Sequence, residues 1–465
     1  MTDFAETTWG LRLNASQRPE LRLELQGDDT AGFIYVAGRF LATDAAASVL
    51  GLDTQPLEYT DHTSSTLAGL HLREYDYIGG NEPLPALVAR LRTQARDDAP
   101  SAGVSPADCD VALHYAFTGN PAWIPHGHPN GQPSPQNVAA KSRSWPDGDP
   151  VVAVVDTGLD LASATGSPYV AAIAAAAAAA APPTDGAAAL VLDPDLDADA
   201  LRVPEIERPH VLGAEAGHGT FITYLVGRQA RDRVGLVNVR VLDADGVGTE
   251  ASVLEGLRRL LDKHPGVDVL NLSFGGYTDA TDYSGHDRTK HANPPDTMPL
   301  ALAAWLREFR AARPDAVIVC AAGNYGIDRL FWPAASDDVL AVGSLNEDLQ
   351  RSSFSNHGAW VDACTYGENL MGDYPRGIVI DDTGAEEHFS GDAARWSGTS
   401  FAAPVLAAEI AYRIQEKRLN GHACTAAEAW DDLKATLSTY SATPYQLGLV
   451  WDPRAIDPAL DPHFI

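Results

Sequence analysis

Short apolar runs alternate with amphipathic stretches over the second half of the chain. Val151-Val152-Ala153-Val154-Val155 is apolar at every position, as expected of a parallel strand buried on both faces, and it ends on a carboxylate, Asp156. Val234–Leu242, Val267–Ser273, Val317–Ala321 and Val339–Val342 repeat the strand pattern. Between them, Thr249–Lys263 and Met298–Ala312 carry apolar residues at helical spacing. This alternation predicts an α/β domain with a doubly wound, mostly parallel sheet and helices on both faces. A further helix is predicted to start near Ser400 and run to about Ile414, and a last one covers Thr425–Leu437.

The amino-terminal part reads differently. Leu21–Leu25, Gly32–Phe40 and Val111–Phe117 are predicted strands, and Leu84–Ala95 an amphipathic helix, which together suggest a small α+β unit over residues 1–117. Gly119–Gln136 holds five prolines and three glycines, so residues 118–148 read as a linker. Residues 149–440 form the α/β domain, and 441–465 a Pro-containing tail. Two stretches read as inserted surface segments. One is the alanine tract Ala174–Ala181, stopped by Pro182-Pro183, and the other the polar segment 277–297, placed to cover a cleft as a lid.

The chain has 465 residues, 45% hydrophobic and 21% charged, enough for one large domain and a second unit. Its net charge of −30 and pI near 4.6 exclude the basic face that nucleic acid or an anionic membrane would need. Cys109, Cys320, Cys364 and Cys424 are scattered without a CxxC spacing, which fits a reducing compartment. With no basic-then-apolar leader at Met1–Glu6, a cytoplasmic location is expected. Asp193, Asp195, Asp197 and Asp199 alternate, but Ala198 stands where a calcium loop of the EF-hand type needs glycine. His126 with His128, and His286 and His291 with Asp282 and Asp287, lack a convincing ligand set, and solvated loops are expected there.

The chemistry concentrates in four places. Asp156 ends a strand, His218 stands between Gly217 and Gly219, Asn324 follows Ala321-Ala322-Gly323 at a strand end, and Ser400 follows Gly398-Thr399 at a helix start. Each alone has a bland reading as a cap, a surface imidazole or a turn residue. In this order, Asp, His and Ser can pass a proton: Asp orients His, His takes the Ser proton, and Ser attacks a carbonyl. Asn324 can donate to the resulting oxyanion.

Asp156-Thr157-Gly158, His218-Gly219-Thr220, Ala322-Gly323-Asn324 and Gly398-Thr399-Ser400-Phe401-Ala402-Ala403-Pro404 make the chain resemble the subtilisin-like serine peptidases from about Pro150 to Leu437. The resemblance implies a serine endopeptidase that needs no cofactor. Its catalytic residues would be Asp156, His218, Ser400 and Asn324, and its substrate a peptide or protein. It implies that a substrate lies as an added strand between Gly246-Val247-Gly248 and Ser273-Phe274-Gly275, with Ala321, Ala322 and Gly323 completing the binding set. Structural calcium is common in that family, but no matching motif is present. Residues 1–117 are expected to be a prodomain-like or an accessory unit. A dedicated peptide-processing or peptide-ligating enzyme, and a non-catalytic peptide-binding scaffold, are the alternative functions. Thr365-Tyr366-Gly367 departs from the family's usual Ala-Pro-Gly.

Overall fold

The structure is a computed structural model of the chain. It describes residues 20–26, 31–55, 58–78, 80–119, 130–131, 149–160, 212–213, 215–230, 234–243, 245–278, 298–380, 386–389, 394–441 and 445–455. Of the expected linker 118–148 only Thr118, Gly119, Asn130 and Gly131 are described, and Thr118 ends a strand rather than opening a linker. The rest of it, the alanine tract, the aspartate series and most of the 277–297 segment lie outside the described residues, with the histidines assigned to them.

An antiparallel sheet comes first. It is built from β1 (Leu21–Gln26), β2 (Ala31–Thr43), β3 (Tyr59–Asp61), β4 (Leu72–Tyr77) and β5 (Val111–Thr118), with α1 (Asp44–Leu50), α2 (Ser65–Gly69) and α3 (Leu84–Asp98) between the strands. The long β2 lies between β4 and β5, and β1 pairs with its first half. Helix α1 starts where the Thr43 side chain accepts the Ala46 N–H and stops at Gly51, in the left-handed region at φ 63°. All eight residues of β5 are buried.

After the two-residue β6 (Asn130–Gly131) comes the second and larger architecture. Its elements are β7 (Val151–Asp156), α4 (His218–Gln229), β8 (Gly235–Arg240), β9 (Val247–Thr249), α5 (Glu250–Lys263), β10 (Val269–Leu272), α6 (Leu300–Ala312), β11 (Val317–Ala321), β12 (Leu340–Leu345) and β13 (Ala363–Tyr366). Short strands β14 (Leu370–Gly372), β15 (Gly377–Ile380), β16 (Glu386–Phe389) and β17 (Ala394–Trp396) precede α7 (Thr399–Leu419), α8 (Ala426–Lys434), β18 (Ser438–Thr439) and β19 (Leu449–Val450).

The central sheet runs β18-β19-β13-β12-β11-β10-β7-β8. It is parallel from β19 to β8, with only β18 antiparallel. The apolar runs read from the sequence are its buried middle: Val152–Val155, Val269–Leu272 and Val317–Ala321 are covered on both faces. Residues 441–465, expected as a tail, instead supply β19 to this sheet. Leu449 and Val450 pair with Ala363 and Cys364, a long-range pairing that two residues of strand cannot announce in sequence. One face of the sheet packs on α4 and α7. The core of the other face, with Leu254, Leu257 and Trp305, continues without a break into Phe40, Leu87 and Leu113 of the amino-terminal elements.

Candidate active site

Asp156 closes β7, where the carboxyl edge of a parallel sheet leaves room for a site. The loop after it is approached very closely by α4, since a Cβ on Gly219 would stand 2.2 Å from the Gly158 carbonyl oxygen. That is why a glycine follows His218. The approach is fixed by the Gly219 N–H donating to Thr157 Oγ1 at 2.9 Å. It sets His218 Nδ1 2.7 Å from Asp156 Oδ1, which also accepts the Thr157 N–H at 2.8 Å. Both side chains are fully buried. Trp396 and Phe401 wall the imidazole, their ring centroids 5.5 and 5.3 Å from its own.

Ser400 is the second residue of α7, so its Oγ sits at the positive end of a long helix. Pro404 lies four residues on and has no N–H for the Ser400 carbonyl. Ser273 replaces it, its Oγ donating to Ser400 O at 2.7 Å while accepting from Asn271 Nδ2 at 2.8 Å. The start of α7 is thereby tied to the end of β10. Ser400 Oγ in turn donates to Ser273 O at 3.0 Å.

Asn324 follows β11. Its Oδ1 accepts from the Thr399 N–H at 2.8 Å and the Thr399 hydroxyl at 2.9 Å, which turns its Nδ2 end away from Thr399. The Gly323 N–H donates to the same hydroxyl at 3.0 Å. Behind this turn Asn356 is buried, donating to Ala322 O at 2.9 Å and Tyr277 Oη at 3.0 Å and accepting from Tyr325 N–H at 3.0 Å. Thr399 and Asn356 thus fix the carboxamide.

The two expected substrate edges are both occupied, and by the chain itself. Strand β5 pairs with β9 on one side: Phe117 opposes Gly248 and Thr118 opposes Val247, and the Gly119 N–H donates to Gly246 O at 2.9 Å. On the other side Thr118 and Gly275 exchange two backbone bonds of 2.9 Å. The Phe117 and Phe274 rings lie 6.0 Å apart. At the end of this strand the Gly119 carbonyl oxygen is 3.5 Å from Ser400 Oγ. A Cβ placed on Gly119 would stand 3.4 Å from His218 Cε1, so the serine and the imidazole both face this one residue. Ala321, Ala322 and Gly323 are not part of that ladder; Ala321 pairs within the central sheet, the Ala322 N–H bonds to Val342 O, and that of Gly323 to Thr399.

Three further residues tie the amino-terminal elements to the site. Glu250, fully buried, accepts from the Tyr115 N–H with one oxygen and from the Ala301 and Leu302 N–H groups with the other. His114 Nδ1 lies 2.6 Å from Glu74 Oε1, and its Nε2 accepts from the Ala251 N–H at 3.3 Å. No sequence signal marks these groups, because their partners are distant in the chain. Among the described residues no cluster of three or more His, Cys, Asp or Glu side chains is arranged to hold a metal ion.

A family model described as the Subtilase family matches residues 147–448. A thermophilic serine proteinase of Bacillus sp. (strain AK1) is 30% identical over 232 residues, covering 50% of this chain and 48% of that protein. An intracellular serine protease of Paenibacillus polymyxa is 26% identical over 216 residues, 44% of this chain and 55% of that one. The chain thus spans about half the length of these curated relatives. Among solved structures, the protease domain of PatA aligns with 67% of this chain and 95% of its own at 20% identity, with a TM-score of 0.45.

Proposed function

Because the chain belongs to the subtilase family, we propose that it is a serine endopeptidase whose site is occupied, in the state described, by its own amino-terminal elements. Ser400 attacks the substrate carbonyl. His218 takes its proton as general base and returns it to the leaving amine as general acid. Asp156 holds the imidazole through Nδ1 and balances the imidazolium, while Asn324 and the Ser400 N–H donate to the oxyanion. The acyl-enzyme on Ser400 is then hydrolysed by water, and none of these steps calls for a cofactor.

The observation that carries this reading is β5. An extended backbone bonded on both sides, with a carbonyl oxygen 3.5 Å from Ser400 Oγ, has the form in which a peptide is presented to a serine nucleophile. Residues 20–118 therefore restrain the enzyme: a protein or peptide substrate has to displace β5 before it reaches Ser400. An acidic chain of net charge −30 has neither nucleic acid nor membrane as partner in this reading. Four free, buried cysteines suit a reducing compartment, and the Paenibacillus polymyxa relative is described as intracellular, so the proposed site of action is the cytoplasm.

The test is purified chain against a peptide library, with Ser400→Ala as control. Cleavage by the wild type that vanishes in the variant is expected. Equal cleavage by both would place the activity elsewhere.

A further inference from the structure

Glu215 is a buried carboxylate that the proposed chemistry does not use. It lies three residues before His218, whose N–H donates to its carbonyl at 3.0 Å, and its side chain is fully covered. The side chain runs against the β9 edge: a Cβ on Gly246 would stand 2.1 Å from Glu215 Cγ, so only a glycine leaves it this course. It leads to the bound strand. A Cβ on residue 119 would stand 3.5 Å from Glu215 Oε2 and 3.4 Å from His218 Cε1, ordinary contact distances. Gly119 is not among the residues with positive φ, so a side chain can be added there without backbone strain.

We infer that Glu215 is a specificity-determining residue, which reads the side chain seated at position 119 and selects glycine or a small hydroxyl there while rejecting a carboxylate. The geometry gives the reason. A hydroxyl one bond beyond Cβ comes within hydrogen-bond reach of Oε2 and donates to it. A carboxylate in the same place faces another carboxylate in a covered site, where like charges repel strongly. A long side chain has to turn away from both Glu215 and the imidazole. The same rule extends to any peptide that displaces β5, so substrates carrying Gly, Ser or Thr in this register are preferred over those carrying Asp or Glu.

This inference rests on reading the cleft as a peptide site, but its test reads seating of the strand and needs no turnover. Full-length Gly119→Ser, Gly119→Asn and Gly119→Asp are compared by hydrogen exchange at the Thr118 amide, which donates to Gly275 O. Asn and Asp differ in charge and hardly in size. The Asp variant is expected to exchange about tenfold faster than the Asn variant, and the Ser variant no faster than Asn. In a Glu215→Gln background the Asp and Asn variants should fall within about twofold of each other. Equal exchange by Gly119→Asp and Gly119→Asn in the native background would overturn the assignment, whether or not the protein cleaves peptides.

Discussion

Replacing Glu250 by Gln tests how the amino-terminal elements are held to the site. The Glu250 carboxylate bridges the Tyr115 N–H of β5, at 3.1 Å, and the first turn of α6, at 3.1 and 3.3 Å. Burial pushes its pKa up to about 7, against the lowering effects of His114 and the backbone donors. A carboxyl with a raised folded-state pKa holds its proton more tightly in the folded chain. The stability it confers is fully present below its unfolded value, 4.5, and is lost as pH rises through about 7. That interval of roughly 2.5 pH units, at about 1.4 kcal/mol each, corresponds to about 3 kcal/mol. The amide introduced by Glu250→Gln would not titrate. It would keep one acceptor and set an NH₂ group against a backbone N–H, a cost of about 1–3 kcal/mol at every pH. Urea unfolding of both proteins in a Ser400→Ala background, at pH 5 and pH 8, separates the two effects. The stability gap between wild type and variant should be largest at pH 5 and should narrow by about 2–3 kcal/mol at pH 8. Parallel pH dependences would refute the reasoning, since every other titrating group cancels in the difference.

Thr118→Pro removes the N–H that bonds Gly275 O and should loosen β5 by about 2 kcal/mol, raising the rate at which an active-site reagent reaches Ser400 about thirtyfold. Asn324→Ala should lower kcat by about 10²–10³ with little change in KM, a magnitude carried over from the corresponding change in subtilisin itself. Thr399→Val removes one donor to Asn324 and the acceptor of the Gly323 N–H, so kcat should fall by about tenfold while KM holds. All four cysteines are buried, and burial pushes the Cys364 thiol far above its ordinary pKa, so a thiol reagent should titrate none of them until the chain is unfolded.

Strands β7, β8, β10, β11 and β12 of the central sheet were legible as apolar runs and its helices as amphipathic ones, whereas β13, β18 and β19 were not read. Val317–Ala321 was read with the ends the structure gives it, and Thr249–Lys263 and Met298–Ala312 within two residues. Strand β4 was missed, since Leu72–Tyr77 alternates apolar residues with Arg, Glu and Asp, and its buried Glu74 is explained by His114 on β5 and Arg39 on β2. The four chemical motifs could be read because each is local, a strand end or a helix start. What fills the cleft could not. Val111–Phe117 announces a strand but not its neighbours, and pairing with Gly248 and Gly275 is decided by tertiary packing. Glu215 was likewise silent, as nothing near it in the chain reveals that Gly246 and Gly119 close over it.

The central claim is that Ser400 is a nucleophile kept covered by β5. A fluorophosphonate probe, with the adduct located by mass spectrometry, tests it most directly on three full-length proteins: wild type, Thr118→Pro and Ser400→Ala. The account predicts a single adduct on Ser400, formed slowly in the wild type and faster in Thr118→Pro, and no adduct in Ser400→Ala. An adduct that persists in Ser400→Ala, or a Thr118→Pro protein that is not labelled at Ser400, would contradict it.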